Sequence, residues 1–112
     1  MDFTYLYSPG FVREWNRQRL TDEDLVALEE EIARAPESAP VVRGTGGLRK
    51  IRFAPPSWHA GKSASTRVGF AYFRTKSAIV VVSMFSKKDE ENFSAAQRAA
   101  IAKWLRKIEG TL

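Results

Sequence analysis

The stretch from Arg67 to Phe85 constrains the fold more than any other part of the chain. Arg67 to Arg74 and Ala78 to Phe85 both read as strands, and Thr75-Lys76-Ser77 leaves room only for a tight turn between them. Ile79 to Val82 is apolar at every position, the pattern of a central strand covered on both faces. A chain built around this pair needs flanking strands and covering helices, and the remaining sequence supplies both.

Leu48 to Phe53 reads as another strand, entered through Val41-Val42-Arg43 and a flexible Gly44-Thr45-Gly46-Gly47 connector. Pro55, Pro56, Gly61 and neighbouring serines make 54 to about 65 a loop. Phe3 to Tyr7 is a short aromatic strand ended by a Ser8-Pro9-Gly10 turn, and Phe11, Trp15 and Leu20 can line a short helix after it. Thr21 and Asp24 form a capping box, with Leu20 and Leu25 flanking it as a hydrophobic staple. Leu25, Leu28 and Ile32 repeat at helical spacing while Glu29, Glu30 and Glu31 largely face water, until Pro36 and Pro40 stop the helix. Ser94 and Gln97 form a second capping box, opening a helix with Ala100, Ile101, Trp104, Leu105 and Ile108 as its apolar stripe and Gly110 at its end. The expected fold is α+β over residues 1–112 as one domain. Its order is β-α-α-β-β-β-α, with a small central, mostly antiparallel sheet and helices packed on it.

Composition narrows the function. The sequence has no cysteine, which excludes disulfides, a thiol nucleophile and thiolate zinc sites and suits a reducing cytoplasm. No apolar run approaches the roughly 20 residues of a membrane span, and the start lacks the pattern of a signal peptide, so a cytoplasmic protein with no membrane partner is expected. The net charge of +5 conceals an asymmetry. Residues 1–40 carry four Arg/Lys against nine Asp/Glu, and residues 41–112 carry fourteen against four. Charges usually decorate solvated faces, but a split of this size points to a polyanion met by one side of the fold.

Several chemistries fall away on spacing. Gly44-Thr45-Gly46-Gly47 precedes a strand, whereas nucleotide-binding glycines follow a strand and open a helix. Gly61-Lys62-Ser63 ends like a phosphate loop, but the required earlier glycine falls on Pro56. His59 is the only histidine, with nothing nearby in sequence to orient it in a triad. Asp89, Glu90 and Glu91 are consecutive and splay apart on any regular element, as in a solvated turn or an acidic helix start. No metal site and no cofactor is expected.

The basic residues remain. Alternation puts Leu48, Lys50 and Arg52 on one face of their strand and Arg49, Ile51 and Phe53 on the other. Lys50 and Arg52 then stand about 6.8 Å apart, a separation that can bracket a phosphate. Arg67 opens the next strand, where pairing can bring it alongside, and Lys87 and Lys88 follow the strand after that. Any one of these cations can be an ordinary surface residue, its stem covering apolar neighbours. Four converging from adjacent strands favour a phosphate site.

Leu48 to Phe53 after the glycine connector, Arg67-Val68-Gly69-Phe70-Ala71-Tyr72, the apolar strand to Phe85, and Lys87 through Gln97 together resemble RelE-type toxins of the HigB branch. The resemblance covers roughly residues 20–110. It implies a microbial RNase fold and metal-independent cleavage of mRNA in the ribosomal decoding site, by attack of a ribose 2′-OH that leaves a 2′,3′-cyclic phosphate. Lys50, Arg52, Arg67 and Lys87 match the family's basic catalytic positions. Arg52 and Arg67 would stabilise phosphoryl charge, Lys50 would help remove the 2′-OH proton, and Lys87 would protonate the leaving oxygen or clamp the backbone. Arg49, Trp58, His59, Lys62, Lys88 and Phe93 are candidate RNA contacts. Phe93 stands where some members carry a tyrosine; it can stack a base or pack the helix against the sheet, but cannot exchange a proton. The implied partners are mRNA, the ribosome and a helix-turn-helix antitoxin. A gyrase inhibitor of the related ParE type and a catalytically idle RNA-binding module are the alternatives.

Overall fold

The computed structural model describes residues 2–58 and 65–112. The elements follow in the order β1 (Thr4–Tyr7), α1 (Pro9–Arg17), α2 (Asp22–Arg34), β2 (Arg49–Phe53), β3 (Thr66–Phe73), β4 (Ala78–Phe85), α3 (Lys87–Glu91) and α4 (Ala95–Thr111). The four strands form one sheet in the order β1-β4-β3-β2. β2 pairs β3 and β3 pairs β4 antiparallel, while β1 joins β4 in parallel. The apolar Ile79–Val82 run therefore lies in an inner strand, as its two-faced pattern requires. The fold is α+β with a mostly antiparallel sheet, as expected, with one short helix added between β4 and α4.

Helices cover both faces. On one side Phe11 and Trp15 of α1 and Leu28 and Ile32 of α2 pack against Phe53, Val68, Phe70, Ile79 and Val81. On the other, Leu105 of α4 packs against Leu48, Ala71 and Val42, with Trp104, Ile101 and Phe93 around them. A β-bulge in the β3–β4 pairing, where Gly69 opposes Ser83 but Phe70 opposes Val81, reverses the facing of the last β4 residues. Met84 thus joins the α1–α2 side and Phe85 meets Phe93 below α4. A Cβ on Gly69 would come within 3.0 Å of the Leu48 side chain and 3.1 Å of the Phe85 ring, so the bulge requires glycine.

Both expected capping boxes are present, Thr21 with Asp24 and Ser94 with Gln97. Three local expectations are corrected, and the acidic run Asp89–Glu91 takes one of its two expected forms, a helix start. Ser8-Pro9-Gly10 does not end in a turn but opens α1, with Ser8 accepting from the Phe11 N–H and Pro9 in the first turn, where its missing N–H costs nothing. Lys87 to Glu91 form a helical turn, with Ser86 and Asp89 making a third capping box. Gly110 does not stop α4, which runs through Thr111. The glycine connector is a closed turn: buried Thr45 donates to the Val42 carbonyl at 2.6 Å and accepts from the Leu48 N–H at 3.1 Å. Gly46 adopts φ 70° there, and a Cβ would meet that of Ala102 at 3.1 Å, so α4 seals the turn. Among the described residues no helix is long and apolar enough to cross a membrane.

Candidate functional site

β2 is an edge strand, so its residues can reach solvent around the rim of the sheet. Its outer edge is partly closed by the connector, through a Val41–Arg49 bridge and a Lys50 N–H bond to the Pro40 carbonyl at 2.9 Å. Antiparallel register sets Arg52 directly opposite Arg67, and Arg67 in turn opposite Phe85. Two like charges facing each other across a ladder destabilise a sheet. The register therefore places two cations in opposition at the rim of the sheet.

α3 begins two residues beyond Phe85 and carries Lys87 to the same place. Lys50, Arg52, Arg67 and Lys87 together line one open cleft of about 620 Å³, with Pro40 and Ile51 in its wall. The four cations singled out from the sequence are thus brought together. Three carboxylates line the cleft with them, those of Glu31, Glu90 and Glu91. Glu90 is the most engaged: one oxygen accepts from the Lys50 ammonium and the other lies 3.4 Å from Arg67 Nε. Its side chain is only 16% exposed, against 32% for Lys50 and 24% for Arg67, so the pairs are partly shielded from water. Among the described residues Arg52 and Lys87 make no ion pair, and both are exposed.

The expected RNA contacts fare differently. The Arg49 guanidinium donates to the carbonyls of Glu37 at 2.9 Å and Ala39 at 2.7 Å, so it anchors the connector and does not line the cleft. Trp58 is half-buried and borders an adjoining cavity of about 560 Å³ that Arg67 and Lys87 also line. Lys88 is exposed on α3 but not part of either wall. Phe93 packs against Phe85, ring centres 5.4 Å apart, and joins the core beneath α4. His59 and Lys62 lie outside the described residues.

Two arrangements were not legible beforehand. Glu90 reads in the sequence as part of an acidic run, and only the pairing of β2 with β3 and the placement of α3 bring it to Lys50. Asp24, fully buried, caps α2 and also reaches Ser57 in the turn before Trp58. Its carboxylate accepts from the Ser57 N–H at 2.9 Å, the Ser57 hydroxyl at 2.5 Å and the Thr21 N–H at 2.9 Å. Burial alone would raise the Asp24 pKa, but hydrogen bonds from Ser57 and Thr21 outweigh it and hold the carboxyl below its ordinary value. The wall of the cleft region that carries Trp58 is therefore tied to α2.

Glu29 also departs from expectation. It does not simply face water: its side chain accepts from the Tyr7 hydroxyl, and the Tyr5 hydroxyl donates to its backbone carbonyl at 3.2 Å. Burial raises the Glu29 pKa, and burial together with the Glu29 charge raises that of Tyr5.

No protein-family model matches the sequence. Among solved structures, an arginine-to-alanine double mutant of E. coli toxin RelE in the free state superposes with a TM-score of 0.56 at 17% identity, covering 89% of this chain and 96% of that one. The intact E. coli RelBE toxin–antitoxin complex contains a chain that matches with a TM-score of 0.51 at 17% identity, covering 76% of this chain and 96% of the other. With 96% of the RelE chain covered at this TM-score, the protein has the RelE-like fold.

Proposed function

We propose that this chain, acting as one domain over residues 1–112, is the toxin of a toxin–antitoxin pair and a metal-independent, ribosome-dependent mRNA endoribonuclease. One observation carries the reading: Lys50, Arg52, Arg67 and Lys87 converge on a single open cleft, with Arg52 and Arg67 directly opposed. The fold supports it as a scaffold that RelE also uses.

In the reaction an RNA phosphodiester enters the cleft and the ribose 2′-oxygen attacks phosphorus as the bond to the 5′-oxygen breaks. The products are a 2′,3′-cyclic phosphate and a 5′-hydroxyl. Arg52 and Arg67 meet the negative charge that grows on the phosphoryl oxygens, each guanidinium offering a fixed fork of donors. Lys87, exposed at the start of α3, donates a proton to the leaving oxygen. Lys50 takes a different role from the one the family resemblance implies. Lys50 donates from its ammonium to the 2′-oxygen and stabilises the charge growing there, while the 2′-OH proton passes to water. Trp58 offers a ring on which a neighbouring base can stack.

The ribosome would present the mRNA in its decoding site, which places the protein in the cytoplasm. Its neutralising partner would be an antitoxin, a reading the RelBE likeness supports; a helix-turn-helix domain in that antitoxin is what the family resemblance implies. The test is toeprint mapping of a defined mRNA with purified protein, with and without ribosomes whose decoding site is empty. Cuts that need the ribosome and fade in Lys50→Ala, Arg52→Ala, Arg67→Ala and Lys87→Ala variants are expected. An absence of cuts from the folded wild-type protein would overturn the nuclease reading.

A further inference from the structure

The cleft that should receive a phosphate already holds an anion, the carboxylate of Glu90. It bridges Lys50 on β2 and Arg67 on β3, which share no other partner among the described residues, and it is the least exposed of the three ionic groups. Glu31 and Glu91 stand farther around the wall; Glu31 pairs instead with Arg34 at 2.6 Å. Glu90, with Glu91 beside it, thus offsets part of the charge of the four cations, and the field that would draw a free polyanion into the cleft is weakened. The asymmetric basic charge of the chain is real, but at the point of chemistry it is partly masked.

We propose that Glu90 is a built-in substitute for the scissile phosphate, a latch that occupies the Lys50–Arg67 anion site until an RNA phosphodiester displaces it. The latch sits on suitable hardware. α3 has only five residues and owes its shape to the Ser86–Asp89 capping box more than to helical length, since so short a helix has little stability of its own. Lys87 is part of the same turn, so movement of Glu90 out of the cleft is coupled to the position of the proton donor. RNA held loosely in solution must compete with a tethered carboxylate and lose both pairs' worth of attraction. RNA held in place by the ribosome competes at a far higher effective concentration. The latch gives the protein a physical reason to spare free RNA.

The identity of the displacing anion rests on the nuclease reading; the competition itself does not, and it can be measured without RNA. Inorganic phosphate is titrated into wild-type protein, Glu90→Gln and Glu91→Gln, following the backbone amide resonances of Lys50 and Arg67. Glu90→Gln keeps the shape of the side chain and removes its charge. Glu91→Gln makes the same change of net charge beside the same cleft. The expected result is phosphate binding about tenfold tighter in Glu90→Gln, equivalent to about 1.4 kcal/mol, and less than about twofold tighter in Glu91→Gln. Equal gains in the two variants would reduce the effect to net charge and overturn the latch. No gain in Glu90→Gln would overturn it as well, and if ribosome-dependent cleavage were lost at the same time Glu90 would become a general base. Tighter phosphate binding in a protein that cuts no RNA would leave the latch standing and remove the nuclease reading instead.

Discussion

The two faces of the sheet are built to different ends. The α1–α2 face is packed with large side chains, Phe11, Trp15, Phe53 and Phe70 among them, and the fully buried charge of Asp24 is satisfied by hydrogen bonds from two other residues. The rim under α3 and α4 opposes Arg52 to Arg67 and sets one partly shielded carboxylate, Glu90, against Arg67 and Lys50, with Arg52 in no ion pair among the described residues. A chain of this size has little stability to spare. The contrast teaches that the α1–α2 face is committed to packing, while the rim holds like charges in register at a cost in stability.

Substitutions should separate the faces, the largest effects falling on the packed one. Phe11→Ala removes a side chain that is 2% exposed and stacks between Tyr7 and Trp15. It should cost about 4 kcal/mol in urea unfolding. Asp24→Ala leaves the Ser57 and Thr21 backbone N–H groups without their acceptor and unties the turn before Trp58. A loss of about 3 kcal/mol is expected by the same measurement. Were Asp24→Ala harmless, the claim that this face is fully committed to stability would fail.

Arg52→Ala should behave in the opposite way. Cleavage of ribosome-bound mRNA should fall about 100-fold, as when one donor to a developing oxyanion is lost. Stability should hold or rise by about 0.5 kcal/mol, because the facing Arg67 no longer meets a like charge.

The smallest effect concerns pH. Burial raises the Glu29 carboxyl above its ordinary 4.5, so the folded chain binds that proton more tightly than the unfolded chain does. Its stabilisation is complete below 4.5 and is lost as pH rises through the folded value. Asp24 runs the other way: its folded value lies below the ordinary 3.8, and its contribution is present above 3.8 and lost as pH falls through the folded value. Glu29→Gln should therefore flatten the stability profile on the way from 4.5 to neutrality while leaving the acid limb from Asp24 unchanged, as read from urea midpoints across pH.

What the sequence revealed follows from what local patterns can encode. Alternation separated Lys50 and Arg52 from Ile51 and Phe53, and the two capping boxes placed the starts of α2 and α4, because these features depend on residues two to four apart. Ser8-Pro9-Gly10 was ambiguous for the same reason, since residues that favour turns also favour helix starts, and only the Phe11 N–H bond to Ser8 decides between them. The ties between distant residues were hidden. Asp24 meets Ser57 across 33 positions and Lys50 meets Glu90 across 40, distances that only the pairing of strands can close. Arg49 shows the converse: it sits beside Lys50 in sequence, yet the strand turns it to the connector carbonyls.

The central claim is that the opposed arginines serve a phosphate and not the fold. Unfolding and cleavage measured on the same Arg52→Ala/Arg67→Ala preparation test it most directly. The account predicts a urea midpoint at or above that of the wild type, with ribosome-dependent mRNA cleavage reduced at least about 100-fold. A double variant that unfolds earlier, or that cuts as fast as the wild type, would contradict it.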